Sequence, residues 1–336
     1  VLAWEKSFWP MLSEILTLII QSIISKSGEH SPRVKELFEI HSGPDAVPDL
    51  GSAMEVIVAS RRDEVIAEVI QRDINSLLED HGVGPSTDGA DRQAVVGAIS
   101  TVFGAALLNS AYNSDLIADI DPFPFLETFM VTLQSNTKPS KPAGPVREVA
   151  PYAFPTTYDD VRDALISASE YVIARSGVHR ATVSRIARRA GVSVGAIYGL
   201  YENKDSLVAD CLEVLFPPQT AQDARSWAGV FTAPDQRAMV TQILTNYMSP
   251  SFVQWRRFRL ESFIAARHSE AVSAQIAGYA TNARNTIMQA AAKAPSDADI
   301  RLDTGMSSRA TVIGLSIFEI VDPTIIGLDW RWVPVR

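Results

Sequence analysis

Thr182-Val-Ser-Arg-Ile-Ala-Arg-Arg-Ala-Gly191-Val-Ser193-Val-Gly-Ala-Ile-Tyr198-Gly-Leu-Tyr201-Glu-Asn-Lys204 is the stretch that decides the fold. Thr182 is a capping residue type, and Val183, Ile186, Ala187 and Ala190 recur at the spacing of one buried helical face. Gly191 supplies a turn conformation that other residues resist, and Ser193 caps the next helix. That helix, Val194 to Tyr201, is short. Two short helices joined by a glycine-containing three-residue turn form a helix-turn-helix. Upstream, Val161 to Ile173 reads as an amphipathic helix, with Gly177 placed to end it.

The residues go beyond the generic motif. Thr182, Ile186-Ala187, Ala190-Gly191-Val192-Ser193-Val194-Gly195-Ala196-Ile197-Tyr198, Tyr201, Lys204 and Leu207 form a fixed-spacing string within Tyr158 to Val208. It resembles the DNA-binding domain of TetR-family repressors. The resemblance implies a three-helix head, a long fourth helix starting near Lys204, and a helical body that binds ligand and dimerises. It implies that Thr182 and Lys204 hold phosphates of double-stranded DNA. Ser193, Val194, Gly195, Ala196 and Tyr198 would face the major groove, and Tyr201 would pack in the head's small core.

Charge agrees independently. From Arg175 to Lys204, six basic residues (Arg175, Arg180, Arg185, Arg188, Arg189 and Lys204) stand against Glu202 alone. A local positive segment in an acidic chain is where a phosphate backbone docks, and Arg180 and Arg185 join the expected contacts. Ala196, Gly199 and Leu200 depart from the family pattern, which often has hydroxyl or basic side chains there. Few base-edge donors remain, so thymine methyl contacts, with Arg185 or Tyr198, are expected to carry specificity. Gly191-Val-Ser193-Val-Gly195 also fits a nucleophile elbow, which needs a preceding strand and following triad partners. A basic helix precedes it, and His268 is the one downstream histidine. Ser193 reads as a cap. With no phosphate loop or dinucleotide fingerprint either, no enzyme is expected.

Outside the head the chain reads all-α. Met54 to Leu78, Gln93 to Leu108 and Phe252 to Met288 carry apolar residues at helical steps, without the alternation of a half-buried strand. Pro139, Pro142, Pro145, Pro151 and Pro155 mark residues 136–157 as an extended linker. The expected division is a helical body at 1–135, that linker, the helix-turn-helix domain at 158–205, and a second helical body at 206–336. A weak repeat relates the bodies. Glu55-Val-Ile-Val-Ala59-Ser-Arg61 aligns with Glu261-Ser-Phe-Ile-Ala265-Ala-Arg267, and Glu64 and Ile70 pair with Glu270 and Ile276 at the same spacing. Val95-Val-Gly97 resembles Val312-Ile-Gly314 after an insertion of about eleven residues. Helical sequences share such residues by chance, but here the order of helices and turns agrees too. The partner of the Thr182-to-Lys204 head would then fall upstream of Val1. The whole resembles a tandem TetR protein, most like the actinobacterial double-TetR repressors of lipid-uptake (mce) operons.

Composition sets outer bounds. Hydrophobic residues at 46% and charged residues at 21% suit a globular chain, and the net charge of −9 excludes a uniformly basic coat. Cys211 is the single cysteine and the five histidines are scattered, so no disulfide, metal site or cofactor is expected. The early apolar run, Ile15 to Ile24, is half the length of a membrane span, so no membrane association and a cytoplasmic location are expected. Aromatics suit an apolar effector pocket between helices: Trp227, Phe231, Tyr247, Trp255, Phe258 and Phe263 in the second body, and Trp4, Phe8, Trp9, Phe103, Tyr112 and Phe129 in the first. Arg92 to Ala111 and Phe123 to Gln134 are expected to pair with Asp303 to Val321 and Thr324 to Trp332 as a pseudo-dimer within one chain. Gly97, Ala98, Ala105 and Ala106 would admit Gly314 and Ser316; a homodimer is the alternative. The alternative function is a helical scaffold whose head no longer reads DNA.

Overall fold

The computed structural model describes residues 1–43, 45–87, 89–112, 120–124, 126–127, 152–293 and 302–330. Thirteen α-helices and no strand occur among the described residues, so the fold is all-α. In the first half these are α1 (Trp9–Ser25), α2 (Ser31–Ser42), α3 (Leu50–Ser60), α4 (Glu64–Asp80) and α5 (Ala90–Ala111). The head contributes α6 (Asp160–Arg180), α7 (Val183–Ala190), α8 (Val194–Leu200) and the start of α9 (Lys204–Val230). α10 (Gln236–Met248), α11 (Val253–His268), α12 (Glu270–Ala291) and α13 (Leu302–Val321) complete the chain.

Two stretches expected as single helices are each divided by a cap. Asp63 accepts from the Ile66 amide and starts α4, and Ser269 accepts from the Val272 amide and starts α12. A side-chain acceptor at a helix start satisfies amides that have no intrahelical partner, so a new helix axis begins there. Most of the proline-rich linker, residues 136–151, lies outside the described residues, as do Phe129, most of Phe123 to Gln134, and Trp332. The linker's end is described: Tyr152 packs against Phe252 and Trp255 with ring centroids 5.6 and 6.4 Å apart.

α5 is buried nearly all round and packs along α13. A side chain on Gly104 would collide with the backbone of Ala310, and one on Gly314 with the backbone of Ser100. Between them, the hydroxyls of Thr101 and Thr311 are 2.7 Å apart. Gly104 stands to Gly314 as Ser100 to Ala310 and Thr101 to Thr311, a constant spacing of 210 residues. The contacts are therefore reciprocal, the signature of a two-fold arrangement. Pairing Gly97 with Gly314 by sequence misses this register by seven residues. Two helical turns leave the same face inward, so the small-residue pattern alone does not distinguish the registers. Ser316 also lies elsewhere than expected, with its hydroxyl 2.8 Å from that of Tyr247.

Ion pairs also cross between the two halves. Glu261 of α11 accepts from Arg61 at 2.6 Å and Arg62 at 2.9 Å. In the mirrored place, Glu55 of α3 meets His268 at 3.0 Å and Arg267 at 3.9 Å. Asn75 of α4 donates to the last carbonyl of α13, Val321, while Ser273 of α12 donates to that of α5, Ala111.

Two elements, Trp4–Ser25 and α5, are long and apolar enough to cross a membrane. The first exceeds the run read from sequence because its helix continues back to Trp4. Both place apolar side chains in the core, including Leu12, Leu16 and Ile20 of α1 and Ile99 and Phe103 of α5.

Candidate nucleic-acid interface

The head is built from caps and one small core. Asp159 accepts from the amides of Val161 and Arg162 to start α6, and the chain breaks at Gly177, whose φ is +77°. Thr182 accepts from the Arg185 amide to start α7. At the turn Gly191 has φ +73°, a region in which a side chain is strained, and the Val192 amide returns to the Ala187 carbonyl. Ser193 then accepts from the Ala196 amide at 3.1 Å and starts α8. Ser193 is thus a cap, as the sequence indicated. Ile186, Ala187 and Ile197 are buried beneath the motif with Tyr201, whose hydroxyl donates to Asp210 at 2.6 Å. Asn203 and Ser206 form a reciprocal capping box that launches α9.

Burying Ile197 fixes what α8 presents outward. Ser193, Val194, Gly195 and Tyr198 are exposed and Ala196 is half-buried. Tyr198 is 56% and Leu200 50% exposed, a large apolar area for a seven-residue helix. Around it stand the exposed guanidinium groups of Arg180, Arg185 and Arg188. Arg185 also donates to the Arg180 carbonyl at 3.2 Å. The remaining cations are engaged locally: Arg175 and Arg189 lie over the Tyr171 ring, 4.7 and 4.0 Å from its centroid. Lys204 donates to the Val178 carbonyl at 3.2 Å, which ties the start of α9 to the end of α6.

The segment from Leu165 to Cys211, spanning most of α6, all of α7 and α8, and the start of α9, matches the family model described as bacterial regulatory proteins, tetR family. The match supports membership of the TetR family. Its members are DNA-binding regulators, and the match contains α8 with its exposed face. No curated protein matches the chain.

Several residues that position this head carry no motif signal. Arg162 pairs with Asp210 through both carboxylate oxygens, one of them 2.9 Å from Nε, and holds the Asp210 carboxyl below its usual range. Arg61 donates to the Ala174 carbonyl near the end of α6, and a side chain on Gly177 would press on Arg62 and Glu261. The head thus rests on side chains from both halves. An amphipathic pattern could have marked Arg162 and Asp210 as polar positions, but not as partners 48 residues apart.

The six second-body aromatics expected around an effector separate. Trp227 and Phe263 line a cavity between α9, α11, α12, the end of α5 and the middle of α13. Phe231, Tyr247, Trp255 and Phe258 are buried in the surrounding core, where Trp255 packs edge-on to Phe216 at 5.2 Å. Tyr112, from the first half, reaches the same cavity. Among the described residues no cluster of metal-ligating side chains is found.

Proposed function

We propose that the protein is a cytoplasmic transcriptional repressor that holds operator DNA through α8 and releases it when an apolar, lipid-like molecule fills the second helical body. What carries this reading is the outward face of α8. Its apolar and aromatic side chains are held in water on a helix capped by Ser193, within a rim of guanidinium groups. Folding gains nothing from exposing them, whereas a major groove offers thymine methyls to Val194, Ala196 and Tyr198. Thr182, Arg180, Arg185 and Lys204 supply the flanking phosphate contacts.

Release would travel along α9, which runs from Lys204 beside the head to Trp227 at the cavity. The Arg162–Asp210–Tyr201 cluster makes the first turns of α9 part of the head. Pro217 and Pro218 lie where α9 first meets the cavity, between its lining residues Phe216 and Thr220, and lack the amides that would bond back along the helix. Filling the cavity would bend α9 at that point and turn the head away from the groove.

The reading extends to a tandem organisation: bodies at 1–135 and 206–336, linker at 136–157, head at 158–205. It is supported by the reciprocal contacts of α5 with α13, and by those of Arg61 and Arg62 with Glu261 and of Arg267 and His268 with Glu55. Pairing within one chain gains from tethering, and a pseudo-dimer of non-identical halves would read an asymmetric operator. Light scattering at micromolar concentration should give one chain mass, 36.6 kDa; twice that mass would instead indicate a homodimer.

Mobility shifts against the DNA upstream of the gene test the head. Tyr198→Ala should weaken binding selectively, and Lys204→Ala should weaken it for all sequences while flattening the salt slope by about one unit. If both variants bind as the wild type at every salt concentration, α8 does not dock as described. The scaffold reading would then be favoured.

A further inference from the structure

We infer that the cavity beneath α9 takes an amphiphile with an anionic end, a carboxylate, held by Arg259 and Arg309. This rests on the reading of the second body as an effector site and adds the charge of the ligand. The cavity has an interior of about 40 Å³. Its walls are mostly apolar, with Phe216, Trp227, Phe263 and Ile287 among them. Three charged side chains reach it, Asp223, Arg259 and Arg309, so the lining has one cation in excess.

The arginines are incompletely used. Arg259 is buried, its Nη1 donates to Asp223 at a long 3.3 Å, and its Nη2 has no hydrogen-bond partner. Tyr247 and Trp255 stack on it, with the guanidinium carbon 4.7 and 6.0 Å from the ring centroids, so its position is fixed with a donor unsatisfied. Arg309 reaches the Ala280 carbonyl at 3.4 Å. Burial pushes the Arg259 guanidinium down to about 10 against the pull of Asp223, whose own side chain is 40% exposed, so the existing pair does not offset the desolvation of the arginine. A ligand carboxylate would satisfy the free donor, while its apolar part displaces the emptiness between the aromatic walls. By contrast, a gap of about 20 Å³ in the first half, lined by Ile19, Ile23, Val34 and Phe123, offers no cation. Two wider grooves beside the head also carry cations, Arg62, Arg180 and Lys204 in one and Arg61, Arg62, Arg175, Arg256 and Arg257 in the other, but both are open and neither has an aromatic wall to hold an apolar tail.

Calorimetric titration of the full chain with octanoate, 1-octanol and octylamine tests the inference. Octanoate should bind at least about tenfold more tightly than octanol, the factor expected of one charge-assisted hydrogen bond, and octylamine least. Arg309→Gln and Arg259→Gln should each remove the preference for octanoate, and Arg259→Lys should retain part of it. Equal binding of octanoate and octanol would overturn the anionic assignment and leave an apolar effector standing. Octanoate preference that survives both glutamine variants places the anion elsewhere and also overturns it. Binding of none of the three probes overturns it as well, and mobility shifts on the same samples then show separately whether the DNA-binding reading holds.

Discussion

Glu55 and Glu261 each face arginines of the opposite half, yet they live in different surroundings. The Glu261 side chain is 2% exposed and meets two guanidinium groups. The Glu55 side chain is 32% exposed and meets His268 and, at a longer distance, Arg267. What separates them is α6: its end lies over Glu261, Arg61 and Arg62 and takes a hydrogen bond from Arg61. Burial raises the Glu261 carboxyl and lowers the Arg61 guanidinium despite their contact. The cluster is thus not a large source of stability in itself; it is costly to break, and it fixes where the head stands. The same pair of residues is a surface contact at one end of the two-fold and a buried footing for the head at the other.

The largest effect follows from removing one partner. Glu261→Ala leaves Arg61 and Arg62 without their carboxylate and should lower unfolding free energy by about 3–5 kcal/mol, whereas Glu55→Ala should change it by about 0–1 kcal/mol. Urea unfolding of the two variants gives the comparison directly. Equal losses would mean that burial beneath α6 does not distinguish the two places.

A second buried acid sharpens the point because it has no cation. Glu170 of α6 is fully buried, accepts from Gln254 at 2.7 Å, and lies beside the Tyr152 hydroxyl. Burial pushes its carboxyl up to about 7, against the pull of the Gln254 amide. A raised carboxyl means that the folded chain holds a proton that the unfolded chain releases at about 4.5. Its contribution is therefore full below that pH, is lost as pH rises through about 7, and is constant above. Glu170→Gln removes the titration, so its stability relative to the wild type should grow by about 3 kcal/mol between about pH 5 and pH 8. Thermal or urea unfolding at several pH values measures this difference; a constant gap across the range would show that Glu170 is not held neutral.

The sequence displays these two regions unequally. Caps and turn residues act within a few positions, so Thr182, Gly191, Ser193 and the start of α9 were legible, and with them the head. The all-α fold was legible from helical spacing. The breaks at Asp63 and Ser269 were missed because apolar periodicity continues across a capped junction. Arg162 with Asp210, and Arg61 and Arg62 with Glu261, depend on where separate helices come to lie, which no local pattern states. The cavity shows the same limit. Trp227 and Phe258 have the same aromatic character in sequence, but only the first lines unfilled space.

The smallest of the expected effects probes the two-fold itself. Gly104 and Gly314 admit the opposing backbone at Ala310 and Ser100, so an added methyl group must push α5 and α13 apart. Gly104→Ala and Gly314→Ala should each destabilise by about 1–3 kcal/mol, a typical range for an overfilled core. Reciprocity adds a stronger requirement. If the halves approach through equivalent contacts, the two losses should agree, unlike those of Glu55 and Glu261, because α6 does not cover this crossing. The double variant should lose less than the sum of the two, since the first methyl group already opens the crossing that the second needs. Urea unfolding of the three variants supplies the test. A large loss at one glycine with none at the other would break the equivalence of the halves at their closest approach.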